Sequence, residues 1–177
     1  GRDLLVDGGR YWYRGDEWRR YFINTQAHNS ILIDGCSQDY GVSEVQEPVR
    51  NNCALLPSLD YARGCFGEPY LDLEGSASHM RAVVYLRSIG WVVIDRIESD
   101  RPRTIEALWH FHPDCTVARE GLSVASIDKG KGNLRILPVG GPLWDLDLVE
   151  GQTQPRIQGW YSPEYNIKEP CATAVYM

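Results

Sequence analysis

The 177 residues, 43% of them hydrophobic, suffice for one domain with a real core, and they contain no low-complexity tract or disordered polar tail. A net charge of -6 and a pI near 5.2 argue against nonspecific nucleic-acid binding, which rests on Lys and Arg neutralising phosphates. No apolar run approaches the roughly 18 residues of a membrane span, and no signal-peptide pattern opens the chain.

Taken in order, the chain has the punctuation of an all-β protein: short β-branched and aromatic runs between Gly, Pro, Asn and Asp clusters. Leu4-Leu5-Val6 reads as a strand that runs into Asp7-Gly8-Gly9, two glycines that permit a sharp turn. Ser30 to Ile33 reads as a strand stopped at Asp34-Gly35, a strong turn signal. Cys53 to Ala62 is ambiguous and has room for one short helical turn. Arg81 to Leu86 and Trp91 to Ile94 flank Ser88-Ile89-Gly90 as a hairpin. Thr104 to Phe111 is a further strand, ended by Pro113-Asp114. Leu122 to Ile127 and Asn133 to Leu137 flank the basic tip Lys129-Gly130-Lys131-Gly132. Gly151 to Ile157 reads as a long polar loop, and Ala172 to Tyr176 as the last strand. No stretch keeps a sustained helical period, so the expectation is stacked antiparallel sheets, a β-sandwich over residues 1–177, with negligible helix.

Arg10, Arg14, Arg19 and Arg20 cluster near the N-terminus, where they are suited to hold an acidic polymer despite the overall negative sign. The plainer reading is a solvated face, or carboxylate partners such as Asp16 and Glu17. The five cysteines have no C-x-x-C pair and no zinc-finger spacing, so free, mostly buried thiols are expected. Of the tryptophans, Trp91 and Trp109 sit within strands and suit core packing, whereas Trp12, Trp18 and Trp160 lie in turn-like contexts that suit stacking on sugars.

The four histidines are His28, His79, His110 and His112. A lone His is more often structural than a ligand. His110 and His112 alternate along a strand and share a face, which suits either a metal or a half-exposed edge. His28 stands in a polar segment directly before an apolar strand, beside Asn29. Asp7 and His28 by themselves are not a metal site, because zinc usually takes at least three protein ligands, so the sequence offers half a site; Asp7 equally suits an ordinary turn carboxylate.

Several of these blocks resemble the heparinase II/III-like proteins. Gly1 to Tyr13 is similar to their "g-x-x-L-L-V-D-x-G-x-Y-x-Y" strand and turn, and Arg20 to Gly35 to their "R-x-x-x-x-T-x-A-H-N-x-x-x-x-D-G" block. His79-Met80-Arg81, Val92 to Arg96, His110 to Pro113 and Gly159 to Tyr165 resemble later segments, so the likeness covers nearly the whole chain. One departure is Gly8, where the family commonly has Pro.

The resemblance implies a C-terminal domain of stacked antiparallel sheets that follows an α/α toroid in a bacterial polysaccharide lyase. It implies cleavage of uronate-containing acidic polysaccharide by β-elimination, in the periplasm or outside the cell, with the cytoplasm left open. It assigns Asp7 and His28 to zinc in the full-length protein, with a further His from an "H-x-H" motif upstream of Gly1. Tyr13, and after it Tyr11, become candidates for the catalytic phenol. Arg10, Arg14, Arg20, Trp12 and Asn29 become candidates for substrate binding. The partners implied are the acidic polysaccharide and the protein's own toroid, with no nucleic acid. Without the toroid and the upstream His, the isolated chain is expected to be inert. The competing reading, from a different class, is a noncatalytic carbohydrate-binding β-sandwich.

Overall fold

The computed structural model of the chain describes residues 1–39, 52–67 and 69–177. It divides into two compact units: Gly1–Ser37 with Thr104–Met177, and Gln38–Arg103. In chain order the regular elements are α1 (Glu17–Ile23), β1 (Ile31–Ile33), β2 (Cys53–Leu55), β3 (Leu59–Phe66), β4 (Ala77–Leu86), β5 (Gly90–Ser99), β6 (Ile105–His110), β7 (Val117–Glu120), β8 (Ser123–Ser126), β9 (Arg135–Ile136), β10 (Leu146–Val149), β11 (Trp160–Tyr161), β12 (Glu169–Pro170) and β13 (Thr173–Tyr176). All the strand pairings are antiparallel, so the all-β class predicted from the turn pattern holds.

The first unit is organised by a four-stranded sheet in the order β1-β6-β13-β10, with the small sheets β7-β8-β9 and β11-β12 beside it. Alternation puts Leu32, Leu108 and Val175 on one face, where they are buried together with Val149 packed against them. The turn after β1 is the one that Asp34-Gly35 predicts. Both residues have positive φ, 52° and 72°, and the Cys36 N–H returns to the Ile33 carbonyl at 2.9 Å. Asp34 also accepts the Thr104 N–H at 2.8 Å, which ties the turn to the start of β6.

The second unit is a meander in the order β2-β3-β4-β5. Its hairpin β4-β5 runs ten residue pairs, from Ala77 opposite Ser99 to Leu86 opposite Gly90, well beyond the strands predicted from sequence.

Four expectations are corrected. Helix is not negligible, because α1 occupies Glu17–Ile23. It spans only two turns, too short for a helical period to stand out, and it depends on its ends and its buried face. Asp16 caps it by accepting the Arg19 N–H at 2.8 Å. Tyr21 and Phe22 are both 1% exposed, a burial that stabilises by roughly 1.5–3 kcal/mol per large side chain. Cys53 to Ala62 holds no helical turn but parts of β2 and β3. Trp91 is not a core residue: it is 64% exposed and stacks on its cross-strand neighbour Tyr85 at 4.4 Å. The cysteines are all free, but only Cys115 and Cys171 are buried, while Cys53 and Cys65 are exposed.

Candidate active site

The site begins with the glycines after Asp7. The segment Leu4–Val6 runs along β6 through the bridge Leu5 to Phe111, with Val6 N–H donating to the His110 carbonyl at 3.0 Å. At Gly8 the backbone presses against Ala27: a Cβ there would stand 2.5 Å from the Ala27 carbonyl oxygen. Gly9 has φ +80°, and a side chain on it would run into the Ser162 carbonyl. The Ser162 N–H donates to the Gly8 carbonyl at 2.9 Å, so the turn is clamped from two sides. Any residue larger than Gly at position 8, the Pro common in the family included, needs Ala27 to sit farther away.

This turn and the start of β1 bring Asp7 and His28 together. His28 Nδ1 lies 2.6 Å from Asp7 Oδ2, and Asp7 Oδ1 accepts the Gly9 N–H at 3.2 Å. The bond from His28 holds the Asp7 carboxyl below its ordinary range. The pair is open to solvent, with side-chain exposures of 33% for His28 and 70% for Asp7. It lines a cleft of about 470 Å³ with Gly9, Arg10, Arg19, Phe22 and Ile23.

The arginines beside it carry unneutralised charge. Arg10, Arg14, Arg19 and Arg20 have no carboxylate partner among the described residues, and Asp16, a candidate partner from sequence, is taken up by the helix cap and by Trp12 Nε1 at 3.0 Å. By contrast Arg2, Arg81, Arg87, Arg101, Arg103 and Arg156 each face a carboxylate. Arg10 donates to the Tyr13 hydroxyl at 2.7 Å. The Arg10 and Arg19 guanidinium carbons stand 5.7 and 5.3 Å from the Tyr13 ring centre.

The other sequence candidates take different places. Tyr13 is 63% exposed, whereas Tyr11 is 5% exposed, packs on Trp12, Trp18 and Phe22, and accepts from Lys168 Nζ at 3.2 Å. Trp12, Trp18 and Trp160 pack against the cluster of Tyr11, Tyr21, Phe22 and Ala27, and Arg14 lies over the Trp12 ring at 5.1 Å. Arg14 and Arg20 are exposed. The Asn29 amide donates to the Val6 carbonyl at 3.0 Å and accepts the His110 N–H at 2.6 Å.

His110 and His112 do not act as a pair. His110 is fully buried, and burial holds its imidazole neutral by lowering its pKa to about 3. Its Nε2 lies 3.0 Å from Gln158 Nε2, which itself donates to the Gln26 carbonyl at 3.1 Å. His112 lies past the end of β6, where its Nδ1 accepts the Asp114 N–H at 3.1 Å. The supports that sequence reasoning missed are Lys168, which bonds Tyr11, and Gln158, which bonds His110 and Gln26, both from distant parts of the sequence with no local pattern to mark them.

The sequence profile described as "Heparinase II/III-like, C-terminal" matches residues 1–177. The chain belongs to that family. Among solved structures it is similar to heparan sulfate lyase HepC from Pedobacter heparinus, with TM-score 0.78 and 19% identity over 99% of this chain and 26% of that one. It is also similar to a heparinase III gene product, with TM-score 0.75 and 16% identity over 99% of this chain and 26% of that one. A third similar structure is a heparinase III, with TM-score 0.72 and 15% identity over 99% of this chain and 25% of that one. At these identities the likeness shows the fold, and the chain spans about a quarter of the length of these structures. No curated protein matches the chain.

The cleft also permits a test of the expected zinc. Asp7 and His28 offer one oxygen and one nitrogen donor side by side, a mixed set that suits zinc better than calcium. No group of three or more His, Cys, Asp or Glu able to hold a metal occurs among the described residues. Two donors fall short of the three protein ligands that zinc takes, so the pair would serve only with a further ligand from elsewhere in the protein.

Proposed function

We propose that the chain is the C-terminal part of a polysaccharide lyase that cleaves uronate-containing acidic polysaccharide by β-elimination, and that it is inert without the rest of the protein. The observation that carries this reading is the conjunction in one cleft of Asp7 and His28 with Arg10 and Arg19, two arginines that meet no carboxylate among the described residues. The proton α to a uronate carboxylate is weakly acidic. Its removal requires the carboxylate to be neutralised and the enolate-like charge to be held as it forms, until that charge makes the new double bond, the glycosidic C–O bond β to the carboxylate breaks and an acid protonates the leaving oxygen. Arg10 and Arg19 supply that positive charge, and Tyr13, whose hydroxyl lies beside Arg10, is the phenol on this side of the cleft suited to move the proton. Arg14, Arg20 and Trp12 extend the surface on which an acidic chain lies. Asp7 and His28 hold zinc in the full-length protein, where the metal supplies fixed positive charge that organises the loop around them. An N-terminal α/α toroid supplies the remaining groups.

The test is ultraviolet absorbance from the unsaturated uronate product, followed across a panel of acidic glycans. Full-length protein is expected to turn over at least one of them and the isolated 177-residue chain none. Arg10→Ala with Arg19→Ala is expected to raise KM at least tenfold and to flatten its salt dependence. Substantial turnover by the isolated chain would overturn the division of labour.

The alternative, a noncatalytic carbohydrate-binding module, draws support from a different place. Trp91 in the second unit stacks one face on Tyr85 and is 64% exposed, and an exposed indole suits a sugar ring. Glycan binding that Trp91→Ala abolishes and Arg10→Ala leaves untouched would favour it.

A further inference from the structure

The edge of β6 and of the two residues that follow it, facing the N-terminal segments, carries three N–H groups at alternate positions, and each finds a different acceptor. Leu108 N–H donates to the Ser30 carbonyl at 3.0 Å, at the start of β1. His112 N–H donates to the Leu4 carbonyl at 3.0 Å, in the segment that ends at Asp7. Between them lies a gap: β1 has ended, and the Leu4–Val6 segment offers no carbonyl to His110 N–H. The Asn29 side chain fills it. Its Oδ1 accepts the His110 N–H at 2.6 Å, and its Nδ2 donates to the Val6 carbonyl at 3.0 Å. A side-chain amide has the same donor and acceptor as a peptide group, so Asn29 stands in for the missing strand residue and joins two segments along one edge.

Each end of this splice lies one residue from the cleft. Asn29 follows His28, and Val6 precedes Asp7. We infer that Asn29 is the positioning residue of the cleft: its amide, bonded to Val6 and His110 backbone, fixes the separation at which His28 meets Asp7. Ala in its place leaves the His110 N–H and the Val6 carbonyl without partners and the two segments free to slide. Asp in its place keeps the size and the acceptor for His110 N–H, but it loses the donor and turns an oxygen towards the Val6 carbonyl. Asn29 acts through the backbone, so a glycan need not touch it.

The experiment is nitrogen-15 and proton NMR of the histidine rings in the chain with Asn29→Ala and with Asn29→Asp, alongside circular dichroism. In the unaltered chain the His28 Nδ1 proton shared with Asp7 is expected to give a low-field resonance. Both variants are expected to keep the strand spectrum and to lose or broaden that resonance. In the full-length protein, titration with zinc alone is expected to show affinity lowered by roughly 10- to 100-fold, as for other residues that orient metal ligands. The zinc measurement rests on the proposed function, whereas the imidazole measurement does not, so loss of the resonance in a protein that never binds zinc would retain the positioning role and sink the metal. A folded variant with an unchanged His28 resonance would overturn the inference, as would a variant whose only defect is a raised KM for glycan. Unfolding of both variants would also overturn it, in favour of an amide that the sheet as a whole requires.

Discussion

His28 with Asp7 in the first unit and His79 with Asp95 in the second are the same chemical pair at the same 2.6 Å separation. Their surroundings differ in charge and in access. Arg81 stands directly opposite Asp95 across β4 and β5 and binds both of its oxygens, at 2.7 and 3.0 Å. His79, two residues along the same face, is 4% exposed. The carboxylate of that pair is saturated: burial works against its charge, and the bonds from His79 and Arg81 overcome this and hold its pKa below the ordinary range. Among the described residues no cation sits on Asp7 except the shared His28, and Arg10 and Arg19, which line the cleft beside it, meet no carboxylate. A His-Asp pair is therefore read by what neutralises it. One with its own Arg holds strands together, and one open to solvent beside arginines that meet no carboxylate among the described residues leaves room for a ligand.

The largest expected effect lies in the closed pair. Asp95→Ala strands Arg81 and a buried His79 without their carboxylate and is expected to cost roughly 3 kcal/mol of stability in urea unfolding. Asp7→Ala in the open pair is expected to cost less than about 0.5 kcal/mol. Equal costs would erase the distinction.

Next comes the neutral His110 behind the open pair. In the unfolded chain it titrates at the ordinary 6.5, and in the folded protein burial lowers this to about 3. The unfolded state therefore takes up the proton first as the medium is acidified. The stability due to the buried neutral ring is complete above 6.5 and falls away as pH drops towards 3, by up to about 1.4 kcal/mol per pH unit. His110→Gln is expected to remove that part of the slope in unfolding experiments between these values. The same slope in the variant would mean that His110 takes no part in it.

Smaller again is Asp16→Ala, which removes the cap of the helix that carries Arg19. A lower urea midpoint is expected from the lost cap, together with a weaker grip on acidic glycan through Arg19. A variant with full glycan binding would show that Arg19 does not depend on the cap.

The comparison also separates what the sequence displayed from what it concealed. The strands and their hairpins were legible because short β runs end in residues that only certain turns accept, as Asp34-Gly35 shows with two positive φ values. Asp7, His28 and Arg10 were legible as local blocks with a family resemblance. The closed pair was not, since His79 and Asp95 are sixteen residues apart and meet through strand register alone. Helix α1 was hidden by its length, and the exposed Trp91 by the assumption that a tryptophan within a strand is a core residue. The role of Asn29 was hidden because its partners are backbone groups, which leave no trace in side-chain chemistry.

The most direct test of the open cleft as the working site is zinc per chain in full-length protein, measured with and without His28→Ala. A zinc site at His28 and Asp7 requires zinc close to one per chain in the unaltered protein, and its loss together with turnover in a folded His28→Ala variant. Unchanged zinc in that variant, or a fully active protein without zinc, would contradict it and leave His28 and Asp7 as structural as His79 and Asp95.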